Sequence, residues 1–136
     1  MRVVIVGCGR MGASLAAQFA KDQHQVTVVD IDENAFRELD ENFPGEKVLG
    51  DGTNIDVLNK AKAKGADLFL SVTNKDNTNI MTAQVVMRQF EVKRNICRVD
   101  DPLRARAYKE LGLETFCPTS YTVEILKDIC LNKRSK

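Results

Sequence analysis

The N-terminal segment constrains the fold of this 136-residue chain more than any other. A short apolar stretch at 3–6 leads directly into glycines at 7, 9 and 12, which have the spacing Gly-x-Gly-x-x-Gly. A second apolar stretch at 25–29 ends in Asp30, eighteen residues after the last of these glycines. This succession of a strand, a glycine turn, a helix and a strand that ends in a carboxylate is typical of folds that bind adenine nucleotides or dinucleotides. The alternative is a glycine-rich turn kept only for packing.

Each residue type in this pattern has a physical reason. Gly7 permits a tight turn, Gly9 leaves room for a pyrophosphate, and Gly12 lets the helix pack close to the strand. The free N–H groups and the dipole of that helix face the phosphates. Asp30 can accept hydrogen bonds from both ribose hydroxyls and would repel a 2′-phosphate, and Ile31 supplies no arginine to neutralise one. The pattern therefore favours NAD-like or ATP-like ligands over NADP.

Composition limits the classes of function that are open to the chain. A net charge of +1 gives no electrostatic reason to bind nucleic acid or an anionic membrane. No apolar run approaches the ~20 residues that span a bilayer, and the N-terminus shows no signal peptide. The four cysteines (Cys8, Cys97, Cys117 and Cys130) have no metal-ligand spacing, so we expect buried, reduced thiols in a cytosolic protein. Oxidation sensitivity of Cys8, inside the glycine loop, is the alternative for that residue.

Strand and helix patterns alternate along the whole chain. Strands are predicted at 3–6, 26–29, 47–49, 68–72, 95–99 and 115–117, with helices of about ten residues between them. Asp32 is predicted to cap a helix that ends near residue 42, and 53–56 reads as a capping box. The fold class is therefore α/β: a Rossmann-type, doubly wound, six-stranded parallel sheet in the order 3-2-1-4-5-6. One domain is expected at 1–131, followed by a basic tail at 132–136.

The sequence offers little for catalysis. No second region is present to hold a substrate, and the one histidine, His24, falls in the turn before the second strand, at the end of the sheet away from the predicted crevice. The carboxylate pair at 30 and 32 and the pair at 100 and 101 are better explained by ribose binding and helix capping than by acid–base chemistry. We therefore expect no enzyme. The alternatives are a small NAD-dependent oxidoreductase or its cofactor-binding half, and a structural module that binds nothing tightly.

Several segments together are far more specific than the glycines alone. They are 7–12 (GCGRMG), 29–32 (VDID), 50–53 (GDGT), 71–79 (SVTNKDNTN) and 98–102 (RVDDP), with LGL at 111–113. In order and spacing, from residue 2 to about 131, they resemble the nucleotide-binding domain of the regulators of potassium conductance, also called the TrkA N-terminal or KTN domain.

The resemblance implies roles for the glycine loop and the end of the second strand. Gly7, Gly9 and Gly12 would cradle the phosphates, with Cys8 and Met11 between them. Arg10 would reach the phosphates, often across a dimer interface, and Asp30, beside Ile31, would hold the ribose. The simpler interpretation of Arg10 is a solvated residue at the start of a helix. A cation there is mildly unfavourable unless an anion is present, which supports a phosphate partner.

The resemblance also implies roles for residues at other strand ends. Asp51, Gly52 and Thr53 would lie beside the adenine. Thr73, Asn74 and Asp76 would line the phosphate or nicotinamide side, and Arg98 would lie near the terminal phosphate or a dimer contact. Two of these residues also have purely structural interpretations, because Thr53 and Asp76 can each cap the helix that follows.

Two departures from the family bear on partners and metals. The usual second, effector-binding domain is missing, so the chain is expected to be a piece of a longer protein or a single-domain form that needs a partner subunit. Some members carry an acidic residue after the proline that follows strand six and use it to hold a metal between subunits. Here Pro118 is followed by Thr119 and Ser120, so no metal is expected.

The last predicted helix is apolar on more than one stripe. The apolar residues are Val123, Ile125, Leu126, Ile129, Cys130 and Leu131. In the family this helix crosses to a neighbouring subunit, so a homodimer or higher oligomer is expected. The alternative is a helix buried on its own sheet.

The resemblance implies a cytosolic regulatory subunit or domain. It would bind NAD(H) or an adenine nucleotide (ATP, ADP or AMP) and pass its conformational state to a membrane potassium transporter or channel subunit. It would lie at the inner face of the membrane through that partner, without inserting. The site residues serve NAD(H) and the adenine nucleotides equally, because all share an adenosine with two ribose hydroxyls.

Overall fold

The fold is a six-stranded parallel sheet, seen in a computed structural model that describes residues 1–133. The strands are β1 (Arg2–Val6), β2 (Gln25–Asp30), β3 (Glu46–Leu49), β4 (Leu68–Ser71), β5 (Asn95–Arg98) and β6 (Glu114–Phe116). They pair in the order β3-β2-β1-β4-β5-β6. The predicted Rossmann-type sheet is therefore confirmed. Of the predicted basic tail at 132–136, residues 134–136 lie outside the described residues.

Helices connect the strands. They are α1 (Arg10–Lys21), α2 (Ile55–Lys60), α3 (Asp76–Gln89), α4 (Pro102–Glu110) and α5 (Pro118–Cys130), with a 3-10 helix at Glu33–Glu38. Asp101 caps α4 by accepting the N–H of Leu103 at 3.0 Å, and Pro102 occupies the first helical position, as the sequence predicts. None of the helices within 1–133 combines the length and the apolar character that a membrane crossing requires.

The core lies on both faces of the central strand. Val3 and Ile5 pack with α1 on one face, and Val4 and Val6 pack with Leu58 of α2 on the other. All four valine and isoleucine side chains of β1 are at most 2% exposed, as expected for a parallel strand covered on both faces. The order of the strands reverses between β1 and β4, so a crevice opens at their carboxyl ends.

The segment after Asp32 corrects one prediction. A helix to about residue 42 is expected from the sequence, but the structure has only the 3-10 helix Glu33–Glu38, capped by the Asp32 side chain. Leu39 is extended, and the carboxylate of Asp40 accepts the N–H of Asn42 at 2.9 Å. This local side-chain hydrogen bond replaces the helical one and ends the helix early.

The last helix lies on the surface. No residue of α5 is buried, and the side chains of Val123, Leu126 and Ile129 are each more than half exposed. The interpretation of this helix as buried on its own sheet is therefore wrong. Cys130 at its end is exposed, so the expectation of four buried thiols is wrong for this residue, whereas Cys8 is fully buried.

Candidate functional site

A cleft of about 840 Å³ opens where the sequence predicts it, at the carboxyl ends of β1, β2, β4 and β5. It brings together eleven of the fifteen predicted site residues: Gly7, Gly9, Arg10, Met11, Asp30, Ile31, Asp51, Gly52, Thr73, Asn74 and Arg98. The four outside its walls are Cys8, Gly12, Thr53 and Asp76. Sequence reasoning did not assign Lys75 and Thr78 to the site, although both lie in the 71–79 segment and line the cleft.

Of the three glycines in the turn, two are required by the packing of the fold, and the third faces open space. Gly7 has a φ of +109°, and a Cβ there would lie 2.8 Å from the backbone nitrogen of Thr73. A Cβ on Gly12 would lie 1.7 Å from the carbonyl oxygen of Gly7, so only glycine lets α1 approach the turn. A Cβ on Gly9 would meet nothing within 4 Å, and Gly9 lines the cleft. Protein packing therefore does not require glycine at this position, and the space beside Gly9 is available to a ligand.

The start of α1 makes this side of the cleft suitable for an anion. Gly9 is the N-cap, and no side chain caps the helix. The first turn contains no acidic residue, while Arg10, the first helical residue, lines the cleft and is exposed. The uncapped N–H groups, the helix dipole and the guanidinium all favour a phosphate here.

Asp30 is fixed at the end of β2 by two backbone hydrogen bonds. Its Oδ2 accepts the N–H of Cys8 at 2.8 Å, and its Oδ1 accepts the N–H of Asp32 at 2.9 Å. Each carboxylate oxygen keeps a further lone pair, so both can still accept a hydroxyl hydrogen. Asp32 also lines the cleft, although the sequence explained it as a helix cap. Two carboxylates at this end suit ribose hydroxyls and oppose a 2′-phosphate.

Asp51 is held by Thr53, and the family resemblance places both residues beside the adenine. Thr53 donates to Asp51 Oδ1 from its N–H at 2.9 Å and from its hydroxyl at 2.7 Å, and these bonds lower the pKa of the Asp51 carboxyl. Thr53 does not cap α2, because Asn54 does so by accepting the N–H of Asp56. The structural interpretation of Thr53 as a cap is therefore wrong, and its contact with the cleft is indirect.

Three cations line the opposite side of the cleft. Besides Arg10, these are Lys75 in the loop after β4 and Arg98 at the end of β5. Arg98 is largely buried and pairs with Asp100, at 2.8 Å from Nε to Oδ1 and 3.1 Å from a terminal nitrogen to Oδ2. The acids at the ends of β2 and β3 and the cations at the ends of β1, β4 and β5 give the cleft two electrostatic ends.

Asp76 occupies a structural position beside the cleft. It is the first residue of α3, and its carboxylate accepts the N–H of Asp100 at 2.8 Å and that of Asp101 at 3.2 Å. Arg104 lies 3.8 Å away. Asp76 therefore fastens the loop before α4 to α3, and it neither lines the cleft nor serves as the N-cap residue of α3, which is Lys75.

Cys8 faces the core behind the turn. Burial, and secondarily the nearby Asp30 carboxylate, raise the pKa of its thiol to about 11. A thiol that is buried and stays protonated is a poor nucleophile, so the structure favours packing over oxidation sensitivity. His24 lies far from the cleft, in the turn before β2, where its Nδ1 is 3.0 Å from the N-terminal nitrogen.

Comparison with known proteins identifies the family. Residues 3–118 match the TrkA-N domain. The Trk system potassium uptake protein TrkA of Streptomyces coelicolor is 38% identical over 124 residues, which cover 91% of this chain and 56% of the relative. The TrkA homolog of Methanothermobacter thermautotrophicus is 34% identical over 118 residues, covering 84% of this chain and 52% of the relative. The chain thus spans about half the length of these curated relatives.

Solved structures share the fold. The GsuK RCK domain superposes with a TM-score of 0.81 at 22% identity, covering 98% of this chain and 29% of that one. The NAD(P)-binding domain of an exopolyphosphatase-related protein from Archaeoglobus fulgidus gives 0.79 at 18% identity, covering 96% and 97%. At these identities the likeness concerns the fold alone. The family match, which runs from β1 to the first residue of α5, confirms the resemblance noted in the sequence, and the chain belongs to the TrkA-N domain family.

Proposed function

We propose that the cleft binds NAD(H) or an adenine nucleotide (ATP, ADP or AMP). The observation that carries the proposal is the open space beside Gly9, set between the carboxylates of Asp30 and Asp32 and the cations Arg10 and Arg98. The adenosine ribose would lie at the acidic end and the phosphates at the α1 N-terminus. Folds of this type accept such ligands, since GsuK has been solved with NAD and with ADP, and a Kef C-terminal domain from Shewanella denitrificans with AMP.

The proposed biological role is regulation of potassium transport from the cytoplasmic side of the membrane. The relatives named Trk system potassium uptake protein support it. The domain at 1–131 would bind the nucleotide, and a membrane potassium transporter or channel subunit would respond. The proposal includes no catalytic step and no metal.

A route by which ligand binding alters the subunit runs through Arg98. Its guanidinium lines the cleft and also a smaller hollow beside Pro118 and Val123 at the start of α5. A phosphate that reaches Arg98 competes with Asp100 for the same guanidinium. Ligands that differ in phosphate length would therefore hold the loop before α4, and the neighbouring start of α5, in different positions.

We also propose that α5 pairs with a second copy of the chain. Its Val123, Leu126 and Ile129 are each more than half exposed, and an uncovered apolar face on a helix is typical of a protein–protein contact. Leu126→Glu is expected to convert a dimer into a monomer, because burial of a charge at an apolar interface is costly. Leu111→Glu, at an exposed leucine outside α5, is the control. A wild-type protein that runs as a monomer by light scattering at tens of micromolar would refute the dimer.

The test of ligand binding is isothermal titration with NAD, NADH, ATP, ADP, AMP and NADP. Micromolar binding of at least one of these, with NADP weaker, is the expected result. Asp30→Ala should abolish tight binding, because it removes the acceptor for the ribose hydroxyls. Asp40→Ala, which changes an exposed carboxylate outside the cleft, should leave it intact. If the wild-type protein binds none of the six, or if Asp30→Ala binds normally, the proposed site is wrong.

A further inference from the structure

One fully buried polar side chain lies behind the cleft rather than in its wall. Asn79, the fourth residue of α3, is 0% exposed and uses both the oxygen and the nitrogen of its carboxamide. Its Oδ1 accepts the N–H of Thr73 at 2.9 Å and the Thr73 hydroxyl at 2.6 Å. Its Nδ2 donates to the carbonyl oxygens of Thr73 at 2.9 Å and of Arg98 at 3.0 Å. This one side chain therefore makes four hydrogen bonds to the ends of two strands.

The orientation of this carboxamide follows from its partners. The Thr73 N–H can only donate, so it faces the Asn79 oxygen, and the two carbonyls can only accept, so they face the nitrogen. A carboxylate would retain the acceptor for Thr73 but lose both donors. An apolar side chain would remove these bonds from the Thr73 N–H and from the carbonyls of Thr73 and Arg98, and it would leave the Thr73 hydroxyl only its bonds to Lys75. Asparagine thus fits this position better than either replacement.

The two residues that Asn79 holds belong to the walls of the cleft. Thr73 begins the loop that contains Asn74 and Lys75, and its backbone also lies against the glycine turn, within 2.8 Å of where a Gly7 Cβ would be. Arg98 provides the largely buried cation on the neighbouring strand. Asn79, which does not line the cleft, therefore links the backbone of these two residues.

We propose that Asn79 is a positioning residue for the nucleotide site. It fixes the loop that begins at Thr73 to the end of β5, so that Thr73 and Arg98 are already in place before the phosphates bind. The inference rests on the proposed function, since it assigns a purpose to the rigidity of a nucleotide cleft. Preorganisation of this kind raises affinity, because the loop loses little further conformational entropy when the ligand binds.

The test compares three variants on α3 by hydrogen exchange and by titration with ADP. Asn79→Ala removes all four bonds. Asn79→Asp keeps the shape and the oxygen that faces the Thr73 N–H, but it loses both donors, to the carbonyls of Thr73 and Arg98. Val86→Ala is the matched control, because Val86 is 0% exposed on the same helix, packs in the core and does not line the cleft. The Asp variant also serves if the Ala variant does not fold.

Exchange at the amide of Thr73 reports the loop directly. In the wild type and in Val86→Ala this amide should exchange slowly, and in Asn79→Ala at least about tenfold faster. Asn79→Asp should retain the protection at Thr73. Unchanged exchange in Asn79→Ala would overturn the inference, whatever the protein binds.

Affinity for ADP separates this inference from the proposed function; if the wild type binds another of the six nucleotides but not ADP, that nucleotide takes the place of ADP in the same comparison. Both Asn79 variants should bind ADP about tenfold or more weakly than Val86→Ala, which should match the wild type within about twofold. Equal affinity for ADP in all four proteins would overturn the role of Asn79 and leave the nucleotide site standing. Failure of the wild type to bind any of the six nucleotides would overturn the proposed function, and the role of Asn79 in binding with it.

Discussion

The three glycines of the turn give a prediction in which stability and binding respond separately. Each is replaced by alanine in turn. Gly12 is a buried residue within α1, where Gly→Ala ordinarily stabilises a helix by about 1 kcal/mol. Here the new Cβ would lie 1.7 Å from the Gly7 carbonyl oxygen, a backbone atom that cannot move aside alone. The helix has to shift from the sheet, so we expect the sign to reverse and the protein to lose about 3 kcal/mol.

Gly9→Ala should behave in the opposite way. At φ −76° and ψ −166° the backbone is open to any residue, and no atom lies within 4 Å of the new Cβ. Alanine is a poorer N-cap than glycine, but it also lowers the entropy of the unfolded chain, so the two effects offset each other to within about 1 kcal/mol. The methyl group instead occupies the space beside the turn, and we expect nucleotide binding to weaken about tenfold or more.

Urea unfolding and isothermal titration on the same samples provide the measurement. Gly7→Ala is the second destabilising variant, because it combines a φ of +109° with a contact of 2.8 Å to the Thr73 backbone nitrogen. The reasoning is refuted if Gly12→Ala is as stable as the wild type, since the close approach of helix and turn would then be wrong. It is also refuted if Gly9→Ala binds normally, since the ligand would then not approach the turn.

Two further predictions concern thiols and acid stability. Cys130 is exposed and should react with a thiol reagent under native conditions long before Cys8, which is buried and has its pKa raised to about 11. Equal rates of modification at the two cysteines, measured by mass spectrometry, would contradict the burial of Cys8. The hydrogen bond from Lys93 lowers the pKa of Asp67 to about 2, so this carboxyl contributes stability above its unfolded pKa of about 4 that is lost as the pH falls towards 2. Asp67→Asn should therefore flatten the dependence of urea midpoints on pH between about 4 and 2, and an unchanged slope would argue against the pair.

The topology was predictable because every level of the sequence agrees on it. Strands at regular intervals, glycines at a fixed spacing and Pro102 after a capping aspartate all specify local structure that the sheet then uses. The predictions that fail concern helix ends, where a short polar side chain can hydrogen-bond to more than one nearby backbone group. Asp40 ends the 3-10 segment by bonding the N–H of Asn42, and Asn54 rather than Thr53 caps α2. The first difference shortens a helix, and the second moves a helix cap by one residue. Neither changes the sheet.

The two ends of the candidate site differ in how far the sequence predicts them. The position of Asp30 at the acidic end was predictable because it directly follows a strand and lies at a fixed distance from the glycine turn, although its bond to the N–H of Cys8 itself spans 22 residues. The cationic end depends on α3, whose Asp76 and Asn79 bond to groups that are 19 to 25 residues later in the chain. No pattern of spacing or propensity encodes those partners, which exist only once β4, β5 and α3 have assembled. A motif search therefore finds most of the residues that line the cleft, but it misses Asn79 and the structural role of Asp76.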